Sequence, residues 1–96
     1  MDKYQTYVVL IATVATEWPI RNWIWKKDDV IINDRNWKFQ ENEPSIRERT
    51  LTITKLSDED CGRYSCVAET VAGNGESEQI QLKEGMIFKM AHVLLF

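Results

Sequence analysis

The sequence predicts an all-β sandwich of two antiparallel sheets, and three observations carry that reading. Seven short runs rich in β-branched and aromatic residues recur along the chain, polar turns separate them, and no stretch sustains the 3.6-residue period of a helix. Ninety-six residues hold one domain with one core. Apolar residues make up 44% and charged residues 28%, the composition of a chain that folds.

The expected strands, in order, span residues 7–15, 21–27, 30–32, 36–40, 49–55, 62–69 and 76–83. The first is apolar on both faces: Val8, Leu10, Ala12 and Val14 match Val9, Ile11 and Ala15, so alternation alone does not choose its buried side. Behind Met1-Asp2-Lys3 the same run also has the length of a signal-peptide core, and both readings stay open. Later strands are clearer. Leu51 and Ile53 alternate with threonines; Tyr64, Cys66 and Ala68 alternate with Arg63, Ser65 and Glu69; Ile80 and Leu82 alternate with glutamines. Trp25, Leu51, Ile53, Tyr64, Cys66 and Ile80 are therefore expected in one core. Leu56 to Asp60 forms a polar corner too long for a tight hairpin, which lets the chain cross between sheets. Ala72-Gly73-Asn74-Gly75 tolerates positive φ and reads as a hairpin, so the last two strands should pair. Residues 1–6 are an N-terminal remnant, 7–84 the domain, and 85–96 an apolar tail expected outside the sandwich, well short of the ~20 residues a spanning helix needs.

The run from Leu51 to Ala68, LTITKLSDEDCGRYSCVA, meets every specified position of L-x-I-x-x-[LV]-x-x-x-D-x-G-x-Y-x-C-x-A. It resembles the E-to-F signature of immunoglobulin domains. Gly73, seven residues past Cys66, matches the hairpin glycine of the I-set type, and Trp25-Lys-Lys-Asp-Asp resembles the end of that family's strand C. The resemblance implies an immunoglobulin-like Greek-key sandwich with Trp25 packed against Cys66 and Tyr64 as the tyrosine-corner residue. It also implies that Gly62 leaves room at the corner, and that Asp60 accepts hydrogen bonds from corner amides or meets Arg47 or Arg49. Counting back from Trp25 places the strand-B position, a cysteine in most relatives, at Thr13, so the inter-sheet disulfide is expected to be absent. Strand A is truncated and the tail has no family counterpart, as expected of a piece of a longer multi-domain chain.

The chemistry-bearing residues do not assemble into a reactive site. His92, the single histidine, lies in the tail, which removes Ser-His, Cys-His and multi-histidine metal arrangements from the domain. Asp28-Asp29, Glu41 to Glu43 and Asp58-Glu59-Asp60 read as solvated turns without a calcium-loop spacing. No catalytic residue, metal site or cofactor is expected. The charge of −3, with lysines and arginines scattered, argues against nucleic acid as a partner. Five residues of extended strand put Cys61 and Cys66 roughly 15 Å apart, beyond the ~7 Å reach of a disulfide. Trp18 before Pro19 and Trp37 on a short edge strand are candidate interface anchors; satellite packing or contact with a neighbouring domain is the plainer reading of both.

The function expected is that of a non-enzymatic protein-binding module of a cell-surface adhesion molecule or receptor, extracellular, partnered by protein ligands or neighbouring immunoglobulin-like domains. The alternative is a structural I-set module of an intracellular sarcomeric or cytoskeletal protein, which the unbridged cysteines and the lack of a glycosylation acceptor favour.

Overall fold

A computed structural model describes residues 7–32, 38–83 and 88–94, the last as backbone. The strands are β1 (Tyr7–Ala15), β2 (Asn22–Lys27), β3 (Val30–Ile31), β4 (Phe39–Ser45), β5 (Glu48–Thr54), β6 (Gly62–Thr70), β7 (Gly73–Glu76), β8 (Ile80–Leu82) and β9 (Phe88–Leu94). A single 3₁₀ turn, Asp58–Asp60, precedes β6. One sheet runs β4-β5-β1-β9; the other runs β3-β2-β6-β7, with β8 also on β6. Every pairing is antiparallel except β1 with β9. The architecture is the all-β sandwich of two antiparallel sheets that the sequence predicts, with one parallel strand added.

Alternate residues of each strand meet between the sheets. Val8, Leu10, Ala12 and Val14 of β1, Leu51 and Ile53 of β5, Trp25 of β2, and Tyr64, Cys66 and Ala68 of β6 form one core cluster with Leu82. Ile80 is buried too but falls outside that cluster. Each fully buried leucine or isoleucine here contributes about 2–3 kcal/mol through apolar burial.

The register of β1 corrects one expectation. Thr13 lies on the outer face, opposite Glu48 of β5, while Ala12 is fully buried in the core. The outer face of β1 is apolar too, and Val9, Ile11 and Thr13 on it are half-buried. Periodicity had nothing to discriminate.

A second correction concerns residues 41–43, expected as a turn. They belong to edge strand β4, where Arg49 of β5 pairs with Glu41 at 3.4 Å and with Glu43. Charges and a proline (Pro44) on an edge strand are what keeps such an edge from recruiting other chains. Nor does the last strand form one run. Register shifts by one residue between Val67↔Glu76 and Tyr64↔Ile80, a β-bulge at residues 77–79. Ser77 heals it: its N–H donates to the Cys66 carbonyl at 2.9 Å, and its Oγ accepts the Cys66 N–H at 2.9 Å. The hairpin tip is Val71-Ala72, so Gly73 and Asn74 already pair with Thr70 and Glu69.

The tail supplies the third correction. Residues 88–94 do not lie outside the sandwich; they pair in parallel with β1 from Val9↔Phe88 to Ala15↔Leu94. Chain direction explains the parallel sense. The short 16–21 connection reverses the chain from β1 into β2, β6 is antiparallel to β2, and β8 is antiparallel to β6. The chain therefore leaves β8 at the end where β1 begins, and a returning strand runs alongside β1.

Candidate binding surface

The corner before β6 is fixed by two side chains. Tyr64 is fully buried and its hydroxyl donates to the Asp60 carbonyl at 2.7 Å. The Asp60 carboxylate, itself buried, accepts the Ser57 N–H at 2.9 Å and pairs with the Lys38 ammonium at 2.6 Å. The cation is Lys38, reaching from the start of β4, and neither Arg47 nor Arg49; Lys38 also donates to the Lys55 carbonyl at 2.6 Å. Nothing in the sequence places Lys38 beside Asp60, since their contact spans two strands.

Gly62 serves a neighbour. A Cβ there would stand 2.9 Å from Asp28 Oδ2, and the same carboxylate accepts the Arg63 N–H through Oδ1 at 3.1 Å. Asp28 and Asp29 form the two-residue turn between β2 and β3 with φ of 51° and 67°, the twist that tight hairpins favour. At Gly73 a Cβ would meet nothing within 4 Å, and its φ of 141° alone calls for glycine.

Among the described residues no group of three or more His, Cys, Asp and Glu side chains is placed to hold a metal ion. Cys61 is half-buried, Cys66 is buried, and both are free thiols.

The most distinctive surface lies at one end of the sandwich. The β1–β2 loop, the β4–β5 turn and the β6–β7 turn come together there, because Thr13 pairs with Glu48 and Asn22 pairs with Glu69. Each presents a large exposed apolar side chain: Trp18 is 47% exposed, Ile46 82% and Val71 64%. Trp18 and Ile46 line one hollow of about 340 Å³ with Pro19 and Trp23, rimmed by Glu17 and Arg47. Trp23 is half-buried and forms the floor, packing against the core.

Local hydrogen bonds hold all three loops. Trp18 N–H donates to Thr16 Oγ1 at 3.1 Å, Arg47 N–H to Ser45 Oγ at 3.2 Å, and Ala72 N–H to Thr70 Oγ1 at 3.0 Å. Such side-chain turns order a loop before anything binds it, which lowers the entropy cost of an interface. Trp18 was a candidate from sequence; Ile46 and Val71 were not, because a lone apolar residue in a turn belongs to no period. Trp37 lies outside the described residues.

Comparison with known families decides what kind of module this is. The model described as "Immunoglobulin I-set domain" matches residues 7–83. The chain belongs to the immunoglobulin I-set family. It is 35% identical over 74 residues to V-set and immunoglobulin domain-containing protein 10 of Danio rerio, covering 76% of this chain and 13% of that protein. It is 29% identical over 76 residues to Roundabout homolog 1 of Homo sapiens, covering 78% of this chain and 4% of that one. The I-set chain thus spans a small part of the length of either relative. Among solved structures, titin A168169 superposes with a TM-score of 0.63 at 19% identity, over 93% of this chain and 42% of that chain.

In immunoglobulin terms β1, β2, β4, β5 and β6 are strands B, C, D, E and F, and β7 with β8 make up strand G. Strand A would lie beside strand B, and β9 stands in that place. The family's B–F disulfide has no counterpart, since Ala12 and Cys66 face the core without a second thiol.

Burial pushes the Cys66 thiol up to about 12, and burial followed by the nearby Asp60 charge raises Tyr64 well above its usual value. In the unfolded I-set chain these groups ionise near 9 and 10. Stability from keeping both neutral is complete below about pH 9 and drains as pH climbs from there toward 12. Urea midpoints should stay level from neutral pH to the unfolded thiol's pKa and fall above it, the folding constant dropping up to about tenfold per pH unit for each group. Cys66→Ala should flatten the first part of that fall; an unchanged profile would contradict the assignment.

Proposed function

We propose that this I-set domain is a non-enzymatic protein-binding module of a cell-surface adhesion molecule or receptor. The partner is a protein ligand or another immunoglobulin-like module, engaged through the loop end that carries Trp18, Ile46 and Val71. Immunoglobulin domains mediate protein–protein contacts. The observation that carries the reading is that Trp18 and Ile46 share one hollow, at the ordered end of the sandwich that also exposes Val71. An aromatic anchor beside a shallow hollow, rimmed by charge, is the anatomy of an interface hot spot.

A second reading has its own support: both cysteines are free and no B–F bridge exists, as suits a reducing compartment and a sarcomeric or cytoskeletal module. Impermeant thiol or biotin labelling of the tagged parent chain on intact cells separates the two. Surface labelling supports the receptor reading, and labelling only after permeabilisation overturns it.

The binding claim has a direct test. Against a panel of immunoglobulin-domain proteins, Trp18→Ala should weaken any interaction of the wild-type chain by about 2 kcal/mol, roughly 30-fold, at nearly unchanged melting temperature. Parallel losses of binding and stability would make Trp18 a packing residue.

A further inference from the structure

We propose that the outer edge of β1 is a strand-binding site whose ligand is an extended apolar peptide, and that the chain's own C-terminal segment, residues 88–94, fills it as an exchangeable insert.

The edge itself demands an occupant. β1 is nine residues long, wholly buried on its core face and half-buried over Val9, Ile11 and Thr13 on the other. β5 takes one side of its backbone, and the only described strand on the other side is β9. Left open, that edge would present a row of unpaired N–H and C=O groups on an apolar strand, a template for pairing with other chains. The upstream strand that completes this sheet elsewhere in the family would lie antiparallel to β1. The occupant seen comes from the opposite end of the chain and runs parallel.

Two features make β9 exchangeable. Parallel pairing is slightly weaker per residue than antiparallel pairing. Residues 83–87 tether β9 to β8, which favours this segment over a free peptide of the same sequence until its pairing is weakened. Its sequence, FKMAHVL, is apolar enough to favour a strand wherever an edge is offered. The site therefore selects for strand-forming apolar sequence laid along Val9 to Ala15, in the register Val9↔Phe88 to Ala15↔Leu94.

The test uses the full chain. Neighbouring N–H groups of a strand point to opposite sides, so Met90→Pro combined with Ala91→Pro removes a bond to β1 whichever residue makes it. Hydrogen exchange should show residues 88–94 and the β9-facing amides of β1 protected in the wild-type chain. In the double variant those β1 amides should exchange at least 100-fold faster while β2 and β6 stay protected. A synthetic peptide of residues 85–96 should bind the double variant and restore protection, and should bind the wild-type chain at least 100-fold more weakly. Ala91→Gly, a milder change, should lie between the two and serves if the prolines prevent folding. Unprotected amides at 88–94 in the wild-type chain would overturn the proposal. So would a folded variant, of either kind, that ignores the peptide.

Discussion

Ala12→Cys should form a disulfide with Cys66 under oxidising conditions and produce the largest gain in stability of any single substitution in the domain. Both residues are fully buried in the same cluster, on facing strands of the two sheets. Ala12 is small, so the added sulfur displaces little. A crosslink closing a loop of roughly 55 residues is worth about 4 kcal/mol in the chain-entropy model, though strain often reduces it. That corresponds to a rise in melting temperature of roughly 15–30 °C, abolished by reductant. Thr13→Cys should not crosslink, because Thr13 points to the opposite face. A bridge from Thr13→Cys and none from Ala12→Cys would place the register of β1 one residue away from that described.

The largest loss outside the apolar core is expected at Asp60. Its buried carboxylate ties the Ser57 N–H to the Lys38 ammonium, so Asp60→Ala leaves a donor and a half-buried cation short of their acceptor. Breaking one side of such a pair costs about 3 kcal/mol or more, and a drop of roughly 10–20 °C in melting temperature follows. Lys38→Met should cost a similar amount, since the carboxylate is then buried without its cation. Combining Asp60→Leu with Lys38→Met should recover part of either loss, because two apolar groups need no partner. Additive losses in that double variant would show that the two side chains do not act as a pair.

What the sequence revealed follows from how each strand is buried. β5 and β6 carry their large core side chains at alternate positions, with threonines on the other face of β5 and mostly polar residues on that of β6. Leu51, Ile53, Tyr64 and Cys66 therefore stood out by alternation, even though Ser65 and Val67 of β6 are buried as well, and the spacing around Tyr64 carried the family resemblance. β1 carries apolar residues on both faces, fully buried on one and half-buried on the other; its strand character was legible and its register was not. β4 was hidden for a different reason. An edge strand pairs through its backbone while its side chains remain in water, so Glu41 and Glu43 looked like a solvated turn. The pairing of residues 88–94 depends on where β8 releases the chain, a property of the assembled sandwich. At the binding end, Trp18 was visible because an aromatic before proline is conspicuous, whereas Ile46 and Val71 gain meaning only when three loops meet.

A hydrogen-exchange footprint of the chain bound to an immunoglobulin-domain partner, compared with the free chain, tests the functional account most directly. Protection should appear across residues 16–20, 45–48 and 70–73, the loops around Trp18, Ile46 and Val71, and should be unchanged at β3 and in the 3₁₀ turn at the opposite end. A footprint centred on Val30 and Ile31, with the Trp18 loop exchanging as in the free protein, would contradict it.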